Sequence, residues 1–134
     1  MPHLVILYTP NLEGQVDMTA LCRALADTML AVRDEAGQQV FPTGGTRVLA
    51  FPAAHYAVAD GSGDYSFVYL NVRMAAGRSD ATKKRAGDAL LERARAHFDA
   101  AFSQNPGGLT LQIDESTGQA YDGKFSTLHP LFNK

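Results

Sequence analysis

The chain opens on an apolar run, Leu4-Val5-Ile6-Leu7-Tyr8 after Met1-Pro2-His3. A continuous run of this length predicts a strand buried on both faces, as in a parallel or mixed sheet flanked by helices. It lacks a cationic start and is too short for a signal peptide or a membrane span. Thr9 to Gln15, punctuated by Pro10 and Gly14, reads as the loop that leaves this strand. From Asp17, an expected N-cap, Met18, Leu21, Cys22, Leu25, Met29 and Val32 recur with helical spacing. Asp34 to Thr46 is a loop containing Phe41-Pro42, and Arg47 to Phe51 predicts a second strand, with His55 to Val58 as a candidate resumption after Pro52. Ala59 to Asp64 is a turn signal. Beyond it Ser66, Val68, Leu70, Val72 and Met74 alternate with Tyr65, Phe67, Tyr69, Asn71 and Arg73, the period of a strand with one aliphatic face. Ser79 is the expected cap of a second helix, with Asp80 in its first turn and a stripe of Gly87, Leu90, Leu91, Ala94, Phe98 and Ala101. Leu109 to Ile113 predicts a last strand.

The two helical stripes share the same offsets, and each helix lies between two strands, so the chain reads as a doubled β-α-β unit. The expected fold is two-layer α+β: a four-stranded mixed sheet with both helices on one face, the crossovers right-handed. One domain over 1–134 is expected, with pseudo-repeats near 2–58 and 65–114 and a C-terminal arm over 115–134. The uncovered sheet face predicts oligomerisation. The arm carries Tyr121, Phe125, Leu128, Leu131 and Phe132, and is expected to pack on its own domain or on a neighbour.

Composition narrows the chemistry. The 134 residues carry 12 Lys and Arg against 14 Asp and Glu, a net charge of −2, so no global basic field favours nucleic acid or an anionic membrane. The single cysteine, Cys22, excludes an internal disulfide and any multi-cysteine metal pattern, which fits the reducing cytoplasm. Its place on the apolar stripe makes it a small core residue rather than a nucleophile. His3, His55, His97 and His129 have no metal-ligand spacing and read as surface or structural residues, so no metal is expected. No P-loop, dinucleotide fingerprint, H-E-x-x-H or G-x-S-x-G is present.

Pro2 is the unusual residue. It could simply suit the unpaired start of an edge strand. Alternatively, removal of Met1 would leave a secondary amine at the N-terminus, and burial beside cations would lower its basicity toward neutral pH. With Met1 retained, Pro2 would be a tertiary amide without a basic lone pair.

Pro2-His3-Leu4-Val5, Phe41-Pro42-Thr43-Gly44-Gly45-Thr46-Arg47, Ala59-Asp60-Gly61, Asp64 to Val68, Ala76-Gly77-Arg78-Ser79 and the closing Leu131-Phe132-Asn133-Lys134 form an ordered set along the whole chain. That set resembles the 5-carboxymethyl-2-hydroxymuconate isomerase family, the two-repeat, trimeric branch of the tautomerase superfamily. Gly77-Arg78-Ser79 also resembles the corresponding turn of the short 4-oxalocrotonate tautomerase subunit. The resemblance implies a cytoplasmic homotrimer and a cofactor-independent proton transfer in homoprotocatechuate degradation, from 5-carboxymethyl-2-hydroxymuconate to 5-oxopent-3-ene-1,2,5-tricarboxylate. By this resemblance Pro2 is the general base and then acid, while Arg47 and Arg78 bind a dicarboxylate or tricarboxylate substrate and stabilise charge on oxygen. Guanidinium groups suit both tasks. Arg73 is a further candidate for substrate binding or a subunit interface, and His3, Phe41 and Tyr69 are candidate wall residues. Gly44-Gly45 suggests a loose loop, and the stretch from Asp114 to Ser126 departs from the family pattern; both bear on substrate choice. A tautomerase of a smaller enol such as 2-hydroxymuconate or phenylpyruvate, or a non-catalytic trimeric domain, are the alternatives.

Overall fold

Short polar side chains start both long helices. Asp17 accepts a hydrogen bond from the Ala20 amide at 3.0 Å, and Ser79 Oγ accepts one from the Thr82 amide at 3.1 Å, each satisfying an otherwise orphaned N–H. The computed structural model describes residues 2–132. The elements run β1 (His3–Tyr8), α1 (Met18–Ala31), β2 (Arg47–Pro52), β3 (Ser66–Ala75), α2 (Asp80–Gln104), β4 (Gly107–Ser116) and the single turn α3 (His129–Phe132). The sheet order is β2-β1-β3-β4. β1 pairs parallel with β2, β3 pairs parallel with β4, and the two units meet through the antiparallel pair of β1 and β3. This is the mixed sheet that the doubled hydrophobic pattern predicts.

Alternation decides which face is covered. Leu4, Ile6 and Tyr8 of β1 and Val68, Leu70, Val72 and Met74 of β3 join one buried cluster with Leu21, Leu25 and Met29 of α1 and Leu90, Ala94 and Phe98 of α2. Both helices therefore pack on the same side. The expectation that β1 is buried on both faces is corrected: its opposite face stays open, and Leu7 is 47% exposed. Leu49 and Phe51 of β2 are 48% exposed and Phe67 of β3 is 38% exposed, so the open face is largely apolar.

Other differences have local causes. No strand resumes at His55–Val58; that stretch is irregular and exposed save for a half-buried Val58. Leu91 turns outward, and the buried stripe of α2 instead begins with Thr82 and Ala86, because the helix packs between α1 and β4 along a narrow seam. β4 is longer than its apolar core suggests, since its backbone pairs with all of β3 from Ser66 to Ala75. Cys22 is half-buried, and burial pushes its thiol pKa up, which keeps it protonated and unreactive.

Candidate active site

Strand register gathers the candidate residues at one end of the sheet. His3, the first residue of β1, lies between Arg47, the first of β2, and Arg73 near the end of β3; Arg73 in turn pairs with Asp114 of β4. Directly paired residues project from one face, so His3, Arg47, Arg73 and Asp114 edge the open face. Pro2, one residue earlier, is buried.

Arg78 lies in the turn that follows β3. Gly77 adopts a φ of +115°, a conformation that side chains resist, and this reverses the chain before the cap of α2. Arg78 Nη2 then donates to the Val40 carbonyl at 2.9 Å, which fixes the guanidinium against the 34–46 loop. That loop is itself tied to the helix start. Glu35 Oε1 accepts from Ser79 Oγ at 2.5 Å and from Thr82 Oγ1 at 2.9 Å. These two bonds hold the Glu35 carboxyl below the usual range. Arg85 Nη1 adds a bond to the Arg33 carbonyl at 2.6 Å.

Pro2, Val40, Phe41, Pro42, Met74, Ala75, Arg78, Lys124 and His129 line a cavity of about 300 Å³. A neighbouring cavity of about 840 Å³ is lined by Arg47, Asp122, Gly123, Lys124, Phe125, Ser126, His129 and Pro130. Lys124 and His129 face both. The structure thus brings Pro2 and Arg78 into one cavity, with Arg47 across a shared wall. Arg73 and His3 line a third cavity of about 370 Å³, which shares Met74 and Ala75 with the Pro2–Arg78 cavity and Asp122 with the Arg47 cavity. Phe41 is a wall residue and also fully buried core. Tyr69 lies on the open face, where its hydroxyl donates to Gln112 Oε1 at 2.8 Å.

Lys124, His129, Val40 and Met74 were not among the sequence candidates. His129 in particular reads as a surface or structural histidine from the sequence; it is half-buried and held in the wall. Gly44 and Gly45 are buried, and a Cβ placed on Gly44 would lie 2.8 Å from both the Cα and Nδ1 of His129. The expected loose loop is therefore a tight seat for the C-terminal arm, and the unusual glycine pair was the available signal. Ser126 Oγ accepts from the amides of Leu128 at 3.1 Å and His129 at 3.0 Å, setting the start of α3. Lys124 Nζ pairs with Asp122 at 2.6 Å, and this contact holds the Asp122 carboxyl below its usual range. Among the described residues no group of His, Cys, Asp and Glu is arranged to hold a metal ion. No described helix is long and apolar enough to cross a membrane.

Pro2 and the tethered Arg78 guanidinium thus line one cavity, with Lys124 and His129 on its wall and Arg47 on the adjoining one, and this set of cationic side chains suits an anion. The family model described as 5-carboxymethyl-2-hydroxymuconate isomerase matches residues 2–132. The Escherichia coli 5-carboxymethyl-2-hydroxymuconate Delta-isomerase is 27% identical over 132 residues, which span 98% of this chain and 99% of that protein. A crystal structure of a 5-carboxymethyl-2-hydroxymuconate delta-isomerase superposes with a TM-score of 0.95 at 56% identity, covering 100% of this chain and 94% of that one. A 5-carboxymethyl-2-hydroxymuconate isomerase from Deinococcus radiodurans R1 superposes at 0.85 with 36% identity, covering 99% and 95%. More distant solved structures share the fold alone; one of them, a fused 4-OT at 19% identity and a TM-score of 0.56 over 91% of this chain and 94% of that one, is an asymmetric trimer.

Proposed function

Because the chain belongs to the 5-carboxymethyl-2-hydroxymuconate isomerase family, we propose that it isomerises 5-carboxymethyl-2-hydroxymuconate by a proton shuttle on Pro2. The observation that carries this reading is the shared cavity of Pro2 and Arg78, the latter tethered to Val40. With Met1 removed, the Pro2 nitrogen is a secondary amine. Burial of Pro2 and the neighbouring charge of Arg78 disfavour its protonated form, which leaves a lone pair available for proton abstraction near neutral pH.

The steps balance without a co-reactant. Pro2 takes the 2-hydroxyl proton of the dienol as the C2–O bond becomes a carbonyl, and the π electrons shift along the chain. The far vinylogous carbon then takes a proton back from the prolinium, giving the conjugated ketone. Arg78 supplies charge where the oxygen becomes negative and pairs with an adjacent carboxylate, a task that suits a planar fork of donors. Arg47, across the shared wall, takes a distal carboxylate. Arg73, on the open face, is assigned to a subunit contact or to the site of a neighbouring copy rather than to this cavity.

A homotrimer is part of the same reading, since the apolar open face needs a partner and related folds assemble into trimers. The cytoplasm is the expected compartment. Turnover measured by ultraviolet absorbance, with 5-carboxymethyl-2-hydroxymuconate against 2-hydroxymuconate and phenylpyruvate, tests the substrate. A higher kcat/KM for the carboxymethyl compound is expected. Equal or better turnover of the smaller enols would replace this assignment with the small-enol tautomerase.

A further inference from the structure

We propose that His129 binds substrate through its Nε2–H, which donates a hydrogen bond to a carboxylate lying across the two adjoining cavities. The inference rests on the isomerase reading of the site and adds a recognition residue to it. Three observations carry it. His129 lines both the Pro2–Arg78 cavity and the Arg47 cavity, so it stands where an elongated polycarboxylate would pass from one to the other. Its position is built: Gly44 leaves only enough room for the ring, and Ser126 Oγ holds the two amides at the start of α3.

The third observation assigns the proton. Nδ1 is buried against Gly44 with no hydrogen-bond partner among the described residues. A buried N–H without an acceptor costs more than a buried lone pair without a donor, because backbone and side-chain acceptors tolerate partial satisfaction better than donors do. In the neutral ring the proton therefore sits on Nε2, away from Gly44. No described acceptor engages that N–H, whereas the nearby Lys124 is already paired with Asp122 at 2.6 Å. Asp122 also lines the Arg47 cavity and repels a second carboxylate there, so an N–H donor at the junction offsets part of that repulsion.

Side chains of different reach separate this role from a structural one. The amide of His129→Gln places a donor near the Nε2 position, His129→Asn places it near Nδ1, and His129→Leu removes it. Steady-state kinetics on 5-carboxymethyl-2-hydroxymuconate would compare the three, with far-UV circular dichroism and the thermal midpoint of each as folding controls. The expected result is a KM raised about tenfold in the Asn and Leu variants, kcat little changed, and a KM near wild type in the Gln variant. An unchanged KM in all three, or a Gln variant as impaired as the Leu variant, would overturn the proposal while leaving the isomerase intact. Failure of the wild-type protein to turn over this substrate would remove both.

Discussion

Gly77 shows how a single residue sets the chemistry. Its φ of +115° is open to glycine and strained for other residues, and a Cβ there would meet no neighbouring atom, so any cost of substitution is backbone strain alone. Gly77→Ala should lower stability by about 1–3 kcal/mol and displace Arg78 from its bond to the Val40 carbonyl. The kinetic signature is a raised KM, and thermal melting measures the stability loss; a variant with wild-type melting and KM would show that the turn does not position the guanidinium. Pro2, Arg47 and Arg78 were legible in the sequence because each belongs to a contiguous motif. Lys124 and His129 were not, since their place depends on how the C-terminal arm folds back over Gly44, which is a long-range contact with no local periodicity.

At the scale of elements, hydrophobic period and caps carry most of the fold. Asp17 and Ser79 start the helices where the pattern places them, and the alternation of β3 separates the buried aliphatic face from the open one residue by residue. What the period leaves open is which partner an apolar residue meets: Leu91 fits a helical stripe but lies outside the seam that α2 makes with α1 and β4. β1 also carries a pH-dependent contact at its end. Tyr8 is buried there and its hydroxyl donates to Glu13 Oε1 at 2.6 Å; burial first, and then this bond, push its pKa up to about 12. A folded-state pKa above the unfolded value of about 10 means the stabilisation is complete below pH 10 and is lost as pH rises toward 12. Thermal midpoints across that window should fall less steeply in Tyr8→Phe than in the wild type; parallel slopes would remove Tyr8 as the cause.

For the whole molecule, the uncovered sheet face is the feature that a single copy leaves unresolved. Val5, Leu7, Leu49, Phe51 and Phe67 lie on it, beside the Tyr69–Gln112 and Asn71–Asp114 hydrogen bonds. Sedimentation velocity should give three times the chain mass, and Leu49→Asp should dissociate the assembly by burying a charge in that face; a monomeric wild type would contradict the trimer. The sheet end where β1 and β2 begin and β3 finishes holds the cavity of Pro2 and Arg78 and, across a shared wall, that of Arg47, and the proposed proton shuttle turns on whether Pro2 carries a free amine. The most direct test compares two preparations verified by intact mass, one with Met1 removed and one with it retained, on 5-carboxymethyl-2-hydroxymuconate. The free amine should support turnover, and the retained methionine should lower kcat/KM by about 10²–10⁴-fold, the range of a lost general base. Equal kcat/KM in the two preparations would contradict the proline shuttle.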